Sequence, residues 1–363
     1  MQSIIQAFAI FLPTIYLASL EISIVVYAVL LSVGDVFSFA LKPFVGYFAD
    51  RYGEGLLLTS SAGVFFISLF LLGQTTSPGA IAALRVSGSV AASMMFILVI
   101  IYGLRMVSKD PDYKVGLFNA IKNSGWIVGL SIFLYFFIRG DLGISAAFYS
   151  VLILGAVWTA LTFRFTRSYR FRPKIDLKPS LSYLKRIPLF MSLKTLDLAM
   201  FSVFLFFFTR FALQELGLSR SMVTFIVIAE LIAFVASNYL VGRFSNSSRR
   251  KYLIPIGIIG HLLAASTMLL ASDLIHYFIV GILIGVAGGF VDVWLFSRIS
   301  ESVKVEEKGK FIGTFGWSYD LATIVGAQLP VGLLLIGIDQ FVALLLIPGL
   351  MAISYLTANI RNR

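Results

Sequence analysis

Apolar stretches of about 17–25 residues recur along the whole chain between short polar breaks, and this rhythm limits the possible folds more than any other feature. A helix of that length covers the hydrocarbon thickness of a bilayer. It also satisfies its own backbone hydrogen bonds, as lipid requires. The spans run over residues 1–19, 22–48, 55–74, 79–104, 115–138, 142–163, 188–212, 222–242, 252–272, 274–297, 311–336 and 340–360. On one side the breaks are tiny: Glu21 and its neighbours, 75–79, 139–143, Ser272–Asp273 and 337–339. The one longer connection, 164–188, is basic and holds three prolines. The rhythm predicts an all-α polytopic membrane protein with twelve transmembrane helices.

Composition agrees. Of 363 residues, 59% are hydrophobic and 13% charged, against roughly 45–50% and 25% in soluble domains. So much apolar surface cannot be hidden in a water-soluble core, and the excess faces lipid. The net charge of +11 looks like a nucleic-acid signal until its placement is read. Of 29 Lys and Arg, only Arg139, Arg210 and Arg220 fall in one set of loops; Lys42, Arg85, Lys122 and Lys194 lie inside apolar spans. The rest crowd into the alternate loops, eight of them between Arg164 and Arg186. This asymmetry predicts a multi-pass protein of the cell membrane with both termini in the cytoplasm. Its basic loops meet anionic lipid headgroups, not nucleic acid.

Other function classes lose support residue by residue. There is no cysteine, hence no disulfide framework or thiol chemistry, and two histidines make a zinc or haem site an unsuitable reading. The glycine-rich stretch 282–289 is not followed by the Lys-Ser/Thr of a phosphate loop. No metal, no cofactor and no enzymatic activity are expected.

Two segments of the first half align with two of the second at offsets that differ by one residue. GYFAD at 46–50 pairs with GRFSN at 242–246, and GLFNAIKNSGWIVG at 116–129 with GTFGWSYDLATIVG at 313–326. The repeat predicts two pseudo-symmetric six-helix bundles, 1–163 and 188–363, joined by a basic cytoplasmic linker at 164–187. Repeats of this kind place the substrate path at their interface. The same offset sets the counterpart of the seventh span several residues before Met1, so either the first helix is short or the chain as given begins late.

Residues 46–53, GYFADRYG, resemble the signature of the major facilitator superfamily in the loop between its second and third helices. Gly46, Asp50, Arg51 and Gly53 match it, while Glu54 and Gly55 stand where that family usually has basic residues. A weaker copy at 242–251 keeps Gly242 and regains the basic cluster as Arg249, Arg250 and Lys251. The resemblance implies that this motif latches the cytoplasmic side in the outward-facing state. Gly46 would permit close helix approach, and Asp50 would face a positive helix N-terminus. Arg85 resembles the arginine that proton-coupled members carry early in the fourth helix, with the spacing to Gly88 one residue short. The Gly-Pro of the antiporter signature is missing from the fifth span, where residues 125–129 lack a proline.

Charges inside the spans are the candidate working parts, because each costs about 2.5–3.5 kcal/mol on insertion scales. Asp35 and Glu230 occupy equivalent spans at similar depth, roughly 18–20 Å from the cytoplasmic ends at 1.5 Å per residue. With Arg85 as an intermittent partner of Asp35, some 10 Å nearer the outer face by the same rise, they are the candidates for proton coupling. The resemblance assigns the first, fourth, seventh and tenth helices to the cavity. There Lys194, Asp197 and Asp292 are candidate substrate contacts, the last following a flexible Gly288–Gly289 pair. Lys42 and Asp320 are candidates for a gate salt bridge between the halves, with Lys122 mirroring it against Asn238. His261 and His276 read as helix-end or packing residues.

The expected function is secondary active transport of a small solute by alternating access, coupled to protons, as a monomer. Alternatives are a transporter-like receptor or assembly factor and, with less support, a membrane-embedded enzyme. The first would need a soluble domain or tail to signal through, the second a nucleophile or metal pattern.

Overall fold

The computed structural model describes residues 2–52, 54–106, 124–132, 134–135, 142–168, 188–244, 250–302 and 316–361. All of its regular structure is helical: α1 (Gln2–Ala18), α2 (Ile24–Tyr52), α3 (Glu54–Leu72), α4 (Pro78–Met106), α5 (124–132) and α6 (Leu142–Ser168). After the linker come α7 (Pro188–Gln214), α8 (Arg220–Phe244), α9 (Leu253–Leu269), α10 (Leu274–Ser302), α11 (Trp317–Leu335) and α12 (Ala343–Arg361). Among the described residues, ten of these are long and apolar enough to cross a membrane. The α1 helix has 17 residues, one short of that length. Large apolar side chains such as Phe37, Ile153, Leu161, Leu263 and Ile353 point outward, as lipid-facing positions must.

Several helix ends differ from the sequence expectation. The α2 helix continues to Tyr52, so Asp50 and Arg51 lie in its last turns and not in a loop. Likewise α6 continues to Ser168, past the expected start of the linker. Both extensions carry charged residues in sequence while the helix itself goes on. Apolarity marks where the membrane stops, not where the hydrogen-bond ladder does. Inside α7, residues Phe204–Phe208 form a π-helical turn that the sequence did not announce.

The packing repeats itself. The pairs α2–α4, α3–α4 and α3–α6 recur six helices later as α8–α10, α9–α10 and α9–α12. Contact between the two sets runs chiefly along α2 and α11, with α1 touching the far end of α7. Glycines let backbones meet within each set: Gly34 of α2 lies on Ser89 and the Arg85 carbonyl of α4, and Gly326 of α11 on Ser202 and Ala199 of α7. The tightest of these joints is Gly285 of α10, whose missing Cβ leaves room for the backbone at Glu230 and Phe234 of α8. Gly288 and Gly289 pack the same way against Phe234 and Ser237, so they serve close approach within a continuous helix, not flexibility.

A methyl group at Gly285 has nowhere to go but into a backbone. Gly285→Ala should therefore destabilise the protein by about 1–3 kcal/mol, the usual cost of overpacking. Gly349→Ala, where the added atom meets open space, should be neutral or slightly stabilising. Thermal unfolding of both variants in detergent checks the contrast.

Candidate functional site

Between the two sets of helices lies a cavity of about 230 Å³. The charged residues that the sequence offered for coupling, substrate contact and the gate salt bridge all reach its wall: Asp35 and Lys42 of α2, Arg85 of α4, Lys194 and Asp197 of α7, Glu230 of α8, Asp292 of α10 and Asp320 of α11. The wall is thus wider than the four helices the resemblance assigned, for α2, α3, α8, α9 and α11 contribute as well.

The charges are arranged as pairs. Arg85 Nη2 stands 3.7 Å from Asp35 Oδ2 and donates to the Leu31 carbonyl at 2.8 Å. The axial offset between them is bridged by the length of the arginine side chain. Lys42 Nζ lies 2.7 Å from Asp320 Oδ2 and donates to the Gly316 carbonyl at 2.6 Å, while Ser38 Oγ donates to Asp320 Oδ1 at 3.2 Å. These contacts join α2 to the start of α11 on the basic side of the bundle. The rings of Phe39 and Trp317 meet beside them, with centroids 4.9 Å apart.

A third group sits wholly within α7–α10. Lys194, only 1% exposed, bonds Asp292 and, at 3.1 Å, Asp197 Oδ2. His261 Nε2 lies 3.1 Å from Asp197 Oδ1. A carboxylate only accepts, so Nε2 carries the hydrogen of that bond, and Nδ1 has no partner among the described residues. The histidine is fully buried and belongs to the cluster, where the sequence suggested simple packing. Its position in the middle of an apolar helix was the available signal, since ionisable groups in spans are rarely idle.

At the opposite end of the bundle, with the short turns, side chains also join the two sets of helices. The Tyr27 hydroxyl donates to the Phe206 carbonyl at 2.9 Å, inside the π turn of α7. Arg210 Nη2 donates to the Ile22 carbonyl at 2.9 Å and its guanidinium covers the Tyr27 ring. Gln214 Nε2 reaches the Ala18 carbonyl at 2.9 Å. Deeper in, Gln328 of α11 donates to Ser32 Oγ of α2 at 2.7 Å.

The remaining candidates lie mostly outside the described side chains. Gly46, Asp50 and Arg51 lie on the last turns of α2, and their side-chain contacts fall outside the described residues, as do Gly53 and Lys122 altogether. Asn238 is buried in α8, donating to the Phe234 carbonyl at 3.0 Å, and its Oδ1 has no partner among the described residues.

The sequence profile of the Major Facilitator Superfamily matches residues 2–327. The chain belongs to this superfamily. Its fold is shared with the nucleoside transporter NupG, at 15% identity over 98% of this chain and 96% of that one, with a TM-score of 0.69. A point mutant of NupG aligns similarly, at 16% identity over 98% of both chains and a TM-score of 0.68. The human organic anion transporter MFSD10 (TETRAN) aligns over 98% of both chains at 13% identity, with a TM-score of 0.69. No curated protein sequence matches this one. Membership in a superfamily of transporters gives the buried charges a context: a cavity between two sets of helices, lined by ionisable groups, in a protein built to cross the membrane.

Proposed function

We propose that this superfamily member moves a small solute across the cell membrane by alternating access, driven by protons. In this reading the chain crosses the bilayer twelve times as two six-helix bundles, 1–163 and 188–363, joined by the basic linker at 164–187. The basic loops and both termini lie in the cytoplasm. One observation carries the reading. The side chains that join the two sets of helices, on either side of the cavity, do so through ion pairs and hydrogen bonds that can break and reform. The glycine joints, by contrast, lie within each set. Rocking of one bundle against the other would open the Lys42–Asp320 side to the cytoplasm, or the Tyr27–Phe206 side to the exterior. The cleft between them would stay intact.

Asp35 is the group through which we couple the motion to protons. Its pairing with Arg85 is loose at 3.7 Å, it lines the cavity, and its helix also carries the Lys42 closure. A proton on Asp35 would weaken its hold on Arg85 and on the turn of α2 that both share. The fold does not choose a solute, since the two kinds of solved relative carry unlike ones, nucleosides and organic anions.

Uptake into proteoliposomes over a panel of solutes, with and without an imposed pH gradient, tests the reading. Some solute should move faster with the gradient, and Asp35→Asn should remove that difference. A panel that never responds to the gradient, or an Asn variant that still does, would count against proton coupling.

A further inference from the structure

Among the described residues, the charges that line the cavity are out of balance on one wall. Asp35 balances Arg85, and Asp320 balances Lys42. Lys194 faces two carboxylates, Asp197 and Asp292, and therefore leaves one negative charge over. Glu230 has no cation at all: among the described residues no Lys, Arg or His makes an ion pair with it. Its side chain lines the cavity at 3% exposure, and Oε2 has no hydrogen-bond partner. The groups near it add nothing positive that is free. Lys194 and Asp292 are bound to each other, and His261 is held by Asp197. The helix packed most closely on it, α10, meets it with Gly281 and Gly285. Across the cavity the wall offers the apolar side chains Leu31, Phe65, Leu69 and Leu84 beside the paired charges of Asp35 and Arg85.

We propose that the solute is a small organic cation with an apolar body, whose charged group takes its place against Glu230 and displaces a proton from it. This deepens the transport reading of the same cavity and rests on it. The alternative charge types fit worse. An anion would have to pull Arg85, Lys42 or Lys194 out of an existing ion pair, and breaking a buried pair leaves an uncompensated charge behind. A cation breaks nothing. A buried carboxyl group needs a counter-charge or a proton, so cation and proton compete for one position. When the cation binds, the proton leaves the carboxyl for water, and when the cation departs a proton returns. Exchange of one for the other follows from that competition.

The test is calorimetric titration of the purified protein in lipid nanodiscs with benzyltrimethylammonium, and in parallel with phenylacetate. The ammonium should bind, more tightly as pH rises, and buffers of different ionisation heat should reveal proton release on binding. Glu230→Gln should weaken binding about thirtyfold or more, as loss of a buried charge partner does, and abolish the proton release. Glu230→Asp should keep both. It also carries the test, with the wild-type pH profile, should the Gln variant not fold. Phenylacetate should give no heat. Equal affinity in Glu230→Gln, tighter binding of phenylacetate, or no ammonium binding at any pH where the protein is folded would each overturn the proposal. Ammonium binding without any gradient-driven uptake would sink the transport reading alone. Gradient-driven uptake of another solute, with no ammonium bound, would sink this inference alone.

Discussion

Lys194→Met is expected to destabilise the protein by about 3–5 kcal/mol, the cost of removing one partner from a buried ion pair. The lysine bridges Asp197 and Asp292 at 1% exposure. Without it two buried carboxyl groups lose their shared cation and must take up protons to remain there. Asp292→Asn makes the contrast. It leaves Lys194 and Asp197 as a balanced pair 3.1 Å apart, so the loss should be about 1 kcal/mol or less, near that of a single hydrogen bond. Thermal unfolding in one detergent, with lysine and asparagine variants side by side, measures the order. Equal stability of the two would show that charge balance does not hold this cluster together.

Reversing either end of the Lys42–Asp320 pair should reduce transport by about tenfold or more, because like charges then meet across the seam at a cost of several kcal/mol. Lys42→Asp sets two carboxylates together, and Asp320→Lys two ammonium groups. The double reversal restores an opposite pair at the same positions and should recover most of the lost rate. Accessibility gives a second readout. The chain has no cysteine, so a cysteine introduced at Phe39, beside the Trp317 ring, is a unique probe of this closure. It should label faster with a water-soluble maleimide in each single reversal than in the double. If the double variant stays as impaired as its parents, the pair is not the closure.

The helices themselves were readable because their cause is local. Twenty apolar residues in a row can cross the bilayer only as a helix, and a charge within them is visible at once. That is why Asp35, Glu230 and Lys194 could be named from the sequence. Their partners were harder. The rise per residue placed Arg85 well away from Asp35, yet the guanidinium reaches across that offset to within 3.7 Å. Small residues are ambiguous in a different way: Gly288–Gly289 in isolation is equally a flexible joint or a seat for a neighbour, and only Phe234 and Ser237 decide. The π turn at Phe204–Phe208 has no local signature in a run of aromatic residues, and the Tyr27 hydroxyl that meets its Phe206 carbonyl comes from 179 positions away. His261 was misjudged for a similar reason. Its partner Asp197 lies on another helix, 64 positions earlier.

The glycine joints have a mechanical consequence. Where Gly285 seats the backbone of α8 on α10, or Gly34 that of α2 on α4, sliding is resisted by atoms with no rotamers to change. Along the line where Ser32 meets Gln328 and Tyr27 meets Phe206, every link ends in a side chain that can swing and trade its partner for water. Stiffness is therefore unevenly shared, and a strain applied anywhere in the molecule collects along that one compliant line.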